Sequence, residues 1–491
     1  MRRFRLPPAK YCTVLLAAAT LVIAAMPSSA SPWDQAYGDA ANSGYADVHT
    51  LVAGRPIRTV PLPGSAGAGA GPVIGPEGNV YVGTEQGTLA AFGPDGTPLW
   101  NRQLPSGYAI KAAPAVGRDG SVYVVGQITF TDRRYEPPVI NHNSALYKFN
   151  AAGILLWSAL FPEMYATLPA FRGRGATSAP PKIWSYGGSE AIIVPVVYHI
   201  PGGHHFRLIA MSPSGARLAD RLVTHVRYEV TGGNGQPTWY NISCLFSFIC
   251  LFYDPGFSVP ASLPADPSDR LDPRLLPNLP AVAIFQPPSG GQPIVVVSDR
   301  TDDVVGYTFS PGTGFGELFR NHLDDRGLVS APAMLPSGHS IVGSAGGNLT
   351  FNGPAQVPLA DTQVGGWLVA PVARTPTAIV VAMKHLGPAT VLQGRTVIGQ
   401  LPVDGQSMAS PSISRDHIFI ATAGSLYTYD ARTYAQLARF RWSEGGLSAP
   451  AIASSGRVFA LTRHALHIFA GPSRACQGIC GVGGGIVTRT R

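Results

Sequence analysis

Short apolar runs alternate with glycine-containing polar turns along most of the chain, a pattern typical of β-strands joined by tight turns. Eight of these runs follow a proline that usually has two small residues before it. These prolines are Pro72, Pro114, Pro180, Pro280, Pro332, Pro371, Pro411 and Pro450. The first copy continues into VYVGT and the last into VFALT, and the distance from Pro72 to Tyr81 equals that from Pro450 to Phe459. The pattern therefore predicts a repeated β-structure.

A hairpin completes each of the clearest copies. The stretches GTLAAFGPDGTPLW, SALYKFNAAGILLW and FRLIAMSPSGARLA align without gaps, and a PDG, AAG or PSG turn lies in the middle of each. Because such a turn reverses the chain, the flanking runs form antiparallel strands. One repeat is therefore predicted to be four short strands.

The spacing of the prolines favours a β-propeller. Successive distances are 42, 66, 100, 52, 39, 40 and 39 residues, and about forty residues is the length of a four-stranded propeller blade. Helical repeats would require apolar residues at helical spacing, and a β-sandwich would lack this self-similarity. We predict an all-β propeller of eight four-stranded blades over residues 31–471. Seven blades is the alternative, because the copies at Pro280 and Pro371 are the most divergent.

The ends of the repeat region predict how the ring closes. The last copy stops near Ala470 without a fourth strand, whereas a strand-like stretch from Ile57 to Leu62 precedes the first copy. Since an open ring would expose strand edges, this N-terminal strand is expected to complete the last blade.

The N-terminus has the features of an export signal. Four cations precede an apolar run from Val14 to Ala25, and small residues before Ser31 suit cleavage, so residues 1–30 are predicted to be a signal peptide. An uncleaved anchor is the alternative, although the run is short for a membrane span. Removing the signal lowers the formal charge from +8 to +4, and no basic stripe remains, so nucleic acid is not an expected partner.

Four cysteines follow the signal: Cys244, Cys250, Cys476 and Cys480. An even number in an exported chain predicts two disulfides, with three possible connectivities, of which neighbour pairing is the simplest. Zinc is the rival interpretation of CQGIC, but no His-x₃₋₅-His pair follows. The second pair lies in a Gly/Arg-rich tail, residues 472–491.

The longest gap between prolines contains an insertion, residues 221–278. Aromatic and apolar residues surround its two cysteines: Trp239, Tyr240, Leu245, Phe246, Phe248 and Phe252. Exposed on a rigid ring, this loop would be a candidate interaction site. The alternative is that it packs on a blade or covers the channel mouth.

No catalytic or metal-binding residues are predicted. The chain has no GxSxG elbow, HExxH pair or phosphate loop. The acidic group SDRTDD, with Asp299, Asp302 and Asp303, is interpreted as a solvated turn rather than a calcium site.

The repeat resembles that of the pyrroloquinoline quinone (PQQ)-like propeller family. APAVGRDGSVYVVG with ALYKFNAAGILLW is similar to its repeat, and PWDQAYGDAANSGY, residues 32–45, resembles the segment that opens many such chains. The resemblance implies that Trp100 and Trp157 dock between neighbouring blades, with Leu437 in that place in a later blade.

The family includes two classes of protein. Its quinoprotein dehydrogenases oxidise alcohols or sugars with PQQ and Ca²⁺, and alcohol-oxidising members carry adjacent cysteines. This chain has no such pair and no CxxCH haem site. Its non-catalytic propellers include a lipoprotein that helps to assemble outer-membrane barrels, although this chain lacks a lipid-acceptor cysteine.

We therefore predict an exported, periplasmic or secreted, non-catalytic scaffold. It is expected to be a monomer without cofactor or later membrane span, which binds a protein or another cell-envelope partner. A PQQ/Ca²⁺-dependent dehydrogenase is the alternative.

Overall fold

A computed structural model describes residues 33–67, 69, 71–132, 139–161, 175–200, 203–227, 282–298, 303–322, 330–344, 346–353, 358–368, 370–407, 409–446 and 448–472. These residues form eight antiparallel sheets arranged as the blades of a propeller, as the repeat predicts. In each blade the first strand follows one of the eight prolines and lies innermost.

The first four blades contain the longest strands. Blade 1 comprises β2 (Val73–Ile74), β3 (Val80–Gly83), β4 (Thr88–Phe92) and β5 (Pro98–Gln103). Blade 2 comprises β7 (Ala115–Val116), β8 (Val122–Asp132), β9 (Val139–Phe149) and β10 (Leu155–Leu160), with β6 (Tyr108–Ala109) also paired to β8. Blade 3 comprises β12 (Lys182–Tyr186), β13 (Ser189–Ile200), β14 (Gly203–Met211) and β15 (Arg217–Arg227), with β11 (Gly175–Ala176) also paired to β13. Blade 4 comprises β16 (Val282–Phe285), β17 (Ile294–Ser298), β18 (Asp303–Ser310) and β19 (Gly314–His322).

The last four blades are more regular. Blade 5 comprises β20 (Ala333–Met334), β21 (Ser340–Gly343), β22 (Asn348–Asn352) and β23 (Pro358–Gln363). Blade 6 comprises β24 (Ala373–Arg374), β25 (Ile379–Ala382), β26 (Ala389–Gln393) and β27 (Thr396–Leu401). Blade 7 comprises β28 (Ser412–Ile413), β29 (His417–Ala421), β30 (Ser425–Asp430) and β31 (Gln436–Arg441). Blade 8 comprises β32 (Ala451–Ile452), β33 (Val458–Leu461), β34 (Ala465–Phe469) and β1 (Arg58–Pro61).

The N-terminal strand closes the ring, as its position in the sequence predicts. β1 pairs antiparallel with β34, and Thr59 lies opposite His467. The Thr59 hydroxyl is 3.1 Å from Nδ1 of the same histidine. The last blade therefore obtains its outer strand from the opposite end of the propeller.

Small residues before the prolines allow the blades to meet around the axis. A Cβ built on Gly71 of blade 1 would lie 3.4 Å from Ser448 Cβ of blade 8 and 3.9 Å from Ala113 Cβ of blade 2. Larger side chains at these positions would push the inner strands apart, because interiors are close-packed. The repeated small residues are therefore a requirement of ring closure.

Tryptophans lock the outer strands of the first blades onto their neighbours. Trp100 Nε1 donates to the Ala151 carbonyl at 3.0 Å, and Trp157 Nε1 donates to the Pro213 carbonyl at 2.9 Å. Both acceptors lie in the outer turn of the next blade, which confirms the predicted docking.

The proposed substitute for tryptophan in blade 7 is wrong by one residue. Leu437 is 45% exposed, whereas Ala438 pairs with Thr428 as Trp100 pairs with Ala91. The outer turn of blade 7 is one residue longer than that of blade 1, so the strand after it is displaced by one position.

The propeller has two different faces. We call the face that carries the two hairpin turns of each blade (first to second strand, third to fourth) the turn face. The other, the connection face, carries the second-to-third turns and the links between blades. β8 and β9 are 11 residues each and β13 is 12, against 4 for β3 and β33, and the additional residues extend toward the connection face.

The described residues on either side of the predicted insertion also lie on this face. β15 continues to Arg227, so residues 221–227 belong to blade 3, and the described chain resumes at Val282 in blade 4. The four cysteines and the six residues of the candidate interaction loop, Trp239 to Phe252, lie outside the described residues.

Candidate functional site

The central channel contains a stretch of the chain's own N-terminal sequence. We call residues 33–48 the channel segment. Its carbonyl oxygens accept hydrogen bonds from the inner strands of six blades. The pairs are Trp33 with the Ile74 N–H, Asp34 with Val116, Ala40 with Ile284, Ala41 with Met334, Ser43 with Arg374 and Gly44 with Ile413. In blade 3, the Gln35 side chain both donates to the Ile183 carbonyl and accepts from its N–H. The segment thus contacts blades 1–7 in sequence order.

The level of these contacts places the segment at one end of the channel. Most of the donating residues are the last of their inner strand, immediately before the turn face. After the segment the chain passes along blade 7, where the Thr50 and Ser414 hydroxyls are 2.7 Å apart and the Ala53 N–H donates to Thr428 Oγ1. It then continues into β1. The segment therefore fills the channel at the turn face and leads directly to the closing strand.

Backbone geometry explains two glycines and an asparagine of the segment. Gly38, Asn42 and Gly44 have positive φ angles of 96°, 55° and 58°, which favour glycine and asparagine. At Gly44 there is also no space for a side chain, because an added Cβ would lie 2.7 Å from Ala373 Cβ. The Asp39 carboxylate accepts from both the N–H and the hydroxyl of Ser43, which fixes the turn between them.

Asn42 ties two blades to the segment. Its Nδ2 donates to the Val282 carbonyl of blade 4 at 3.0 Å and to the Pro332 carbonyl of blade 5 at 2.7 Å. Its Oδ1 is buried and has no hydrogen-bond partner among the described residues. A buried acceptor of this kind costs free energy unless a donor reaches it.

A buried lysine faces the segment. Lys182 has no exposed surface, and its Nζ donates to the carbonyls of Ala36 at 2.5 Å and Asp39 at 2.9 Å. It also lies 5.6 Å from the centre of the Tyr37 ring. In the other blades, uncharged residues no larger than valine occupy the equivalent register position: Val73, Ala115, Ala283, Ala333, Ala373, Ser412 and Ala451.

Lys182 belongs to a cluster of two acids and two bases. Burial lowers the pKa of its amine to about 7, against the attraction of Asp39 and Asp34. Burial, together with repulsion from Asp39, raises the pKa of the Asp34 carboxyl to about 7. Burial lowers the pKa of the Arg374 guanidinium, whose Nε donates to the Met334 carbonyl at 2.5 Å. The cluster is formally neutral when all four groups are charged.

The residues at this end of the channel do not fit the quinone that the fold family can carry. PQQ is a planar tricarboxylate, yet both cations of the buried cluster already donate to backbone carbonyls. At this end of the channel the N–H groups of the inner strands already donate to carbonyls of the segment. No group of three or more His, Cys, Asp or Glu side chains that could hold a metal ion occurs among the described residues.

Of the acidic group named from the sequence, Asp303 takes part in an ion-pair network on blade 4. Asp303 accepts from Arg320 and from His322 Nδ1, each at 2.8 Å, while Asp299 and Asp302 lie outside the described part of the chain. Its carboxylate is therefore paired with two side chains of β19, the outer strand of blade 4.

Sequence reasoning missed Lys182, although a signal was present. SAPPKIW carries lysine where the other repeats have a small residue, and an alignment of the eight inner strands would have exposed it. The role of the channel segment gave no comparable signal, because its partners come from seven separate blades.

Comparison with known proteins agrees with this architecture. The model of a family described as outer membrane protein assembly factor BamB matches residues 32–192, which include the channel segment and the first blades. No curated protein matches the chain significantly. The described part of the chain has no helix of the length and apolarity needed to cross a bilayer.

Solved structures share the fold at low sequence identity. Quinohemoprotein alcohol dehydrogenase from Comamonas testosteroni superimposes with a TM-score of 0.54 at 12% identity, covering 90% of this chain and 81% of that one. BamB from Moraxella catarrhalis gives 0.50 at 10% identity, covering 84% and 96%. The computationally designed protein Ika8 gives 0.50 at 14%, covering 85% and 99%. The eight sheets show an eight-bladed β-propeller, and the family model matched over residues 32–192 supports PQQ-like repeats in its blades.

Proposed function

We propose that this propeller is an exported, non-catalytic scaffold that binds a protein or another cell-envelope partner through its connection face. The observation that carries the proposal is the contrast between the two ends of the ring. At the turn face the channel is filled by the chain's own segment, whereas at the connection face blades 2 and 3 extend well beyond the regular blade length.

The longer strands at the connection face support a role in binding a partner rather than in catalysis. Rigid scaffolds carry recognition on loops at one end, and no catalytic group is then required. Arg227 and Val282, which lie on this face, flank the part of the sequence that is apolar around Cys244 and Cys250. A disulfide between these cysteines remains a prediction. The family match to an outer membrane assembly factor supports a partner in the cell envelope.

The same contrast supports a propeller that functions without PQQ or Ca²⁺. A quinone at the level of the channel segment would have to displace hydrogen bonds to seven blades. Likeness to an alcohol dehydrogenase at 12% identity concerns the fold alone.

The first test measures cofactor retention. Purified mature protein is incubated with PQQ and Ca²⁺, desalted, and examined by absorbance and mass spectrometry. We expect no stoichiometric quinone. Stoichiometric retention would overturn the non-catalytic assignment and direct attention to alcohol and sugar oxidation.

The second test concerns the connection face. Residues 228–281 are replaced by a Gly-Ser linker, and the melting temperature shows whether the ring is intact. Cross-linked partners from the cell envelope are then compared with those of the wild type by quantitative mass spectrometry. We expect the folded variant to lose its specific partners. An unchanged partner set would refute binding through this face.

A further inference from the structure

The outer strand of a propeller blade is a free edge, and most outer strands here carry protection against pairing. Charged side chains and prolines on an edge prevent unwanted strand addition. Six of the eight outer strands contain such residues: β1 (Arg58, Pro61), β5 (Pro98, Arg102), β15 (Arg217, Arg221), β19 (Glu317, Arg320), β23 (Pro358, Asp361) and β31 (Arg439, Arg441).

The outer strand of blade 2 has no such protection. From Asn150 to Phe161 there is neither a charged residue nor a proline. Ile154, Leu155, Leu156 and Leu160 are 58%, 49%, 50% and 51% exposed on or beside β10. β27 of blade 6 also lacks charges, but it exposes two large apolar side chains and follows Arg395 directly.

The position of β10 in its sheet makes its edge available. The strand order of the sheet ends with β10, whose described partner is β9 alone. Its inner side is held firmly, because Trp157 packs against Tyr123 and donates to Pro213 of blade 3. The edge is therefore both rigid and apolar, which suits recognition better than a flexible strand would.

The dimensions of the edge select the kind of partner. A six-residue strand presents a stripe ~20 Å long and ~10 Å wide. A stable contact between two folded proteins needs ~800 Å² from each partner, several times more than this stripe on a convex rim. A second copy of the ring therefore fits poorly, whereas an extended chain can pair along the whole strand. A charged residue in that chain would lose hydration against the leucines.

We propose that β10 is a strand-addition site, at which an extended, uncharged apolar segment of another polypeptide pairs with the free edge and adds one strand to blade 2. Main-chain hydrogen bonds provide the affinity, and alternate side chains of the added segment contact Leu156 and Leu160. The site lies on the rim and does not depend on the connection face.

Fluorescence anisotropy with defined peptides tests this site. The probe is a fluorescein-labelled seven-residue peptide of alternating threonine and valine, and the control peptide has lysine at each valine position. The variants are Leu156→Lys, Leu160→Lys as a second substitution on the same edge, and Leu437→Lys as a matched control. Leu437 is 45% exposed on β31, an outer strand that already carries arginines.

We expect the apolar peptide to bind the wild type and Leu437→Lys equally, and to bind both β10 variants at least about tenfold more weakly, or ~1.4 kcal/mol. The lysine peptide should bind the wild type at least about tenfold more weakly as well. Absence of binding, equal binding of both peptides, or equal loss in all three variants would overturn the proposal. Sedimentation velocity of the protein without peptide tests whether two copies associate through β10. A dimer abolished by Leu156→Lys would assign the edge to a second copy and refute strand addition by another polypeptide.

Discussion

Lys182 and Asp34 are buried together at the closed end of the channel, and burial acts on them in opposite directions. The amine loses protons more readily than in the unfolded chain, because its pKa falls from 10.5 to about 7. The carboxyl holds its proton more strongly, because its pKa rises from 3.8 to about 7. We therefore expect the stability of the ring to depend on pH on both sides of neutrality.

The signs of the two effects predict a minimum. Asp34 contributes stability below pH 3.8, and this is lost as pH rises to about 7. Lys182 contributes stability above pH 10.5, and this is lost as pH falls to about 7. We expect the contribution of this pair to the free energy of unfolding to be lowest near pH 7. On each side of this minimum one group titrates, so the free energy changes by at most about 1.4 kcal/mol per pH unit.

Urea unfolding of Lys182→Met, Asp34→Asn and the wild type between pH 5 and 10 measures this. Lys182→Met should remove the rise above pH 7, and Asp34→Asn should remove the fall between pH 5 and 7. Parallel curves for all three proteins would show that neither group titrates as described.

Gly44 offers a test of crowding at a single residue. We expect Gly44→Ala to destabilise the fold by about 2–4 kcal/mol, since its Cβ would overlap Ala373 and its φ is positive. Gly187→Ala is the matched control, because Gly187 also has positive φ (48°) but open space around its Cβ. Thermal unfolding of both variants separates the two contributions. Equal losses would mean that backbone strain alone, and not the inner strand of blade 6, dictates glycine at this position.

Removing the side chain of an outer strand should cost more stability where that side chain is a docked tryptophan than where it is exposed. Trp157→Ala removes a hydrogen bond to Pro213 and the packing against Tyr123, and it should cost about 2–4 kcal/mol. Leu437→Ala, at an exposed site, should change stability by less than about 0.5 kcal/mol. Chemical denaturation measures both variants. A large effect of Leu437→Ala would restore the docking role that its sequence position suggested.

The strands were largely predictable because the same pattern recurs in several copies, so each copy supports the interpretation of the others. Alternating apolar runs, glycine turns and fixed distances identified the eight inner strands and most hairpins. The error at Leu437 arose because the distance from Leu89 to Trp100 in blade 1 equals that from Leu426 to Leu437 in blade 7, although the turns between them differ in length. One additional turn residue between Tyr429 and Gln436 displaces the strand, and counting from one blade to another cannot detect this.

The candidate site was less predictable, for a physical reason. Lys182 is noticeable only when the inner strands are superimposed, and Asp34 and Asp39 lie in a segment without repeat character. Their meeting depends on contacts between blades that are distant in sequence, as in the bond from Gln35 to Ile183. Local patterns do not contain this information.

At the scale of the whole molecule, the N-terminal stretch contacts the ring at two places. Its channel segment binds the inner strands, and β1 forms the outer strand of blade 8. We expect deletion of residues 31–62 to lower the melting temperature by more than about 10 °C, because blade 8 loses its outer strand and the inner strands lose their hydrogen bonds. Differential scanning fluorimetry measures the change. A synthetic peptide of residues 31–62 should restore much of it, since ligands of the native state stabilise it by mass action. An unchanged transition would refute closure by this strand.

The pairing of Thr59 with His467, 408 positions apart, also determines when the protein can fold. During synthesis the residues that fasten the ring are made first, and the strand that receives them is made last. A growing chain can form separate blades, but it cannot complete the circle before Phe469 has been added. Contacts of such high sequence separation slow folding. The export proposed above would therefore act on a chain whose ring stays open until elongation is almost complete.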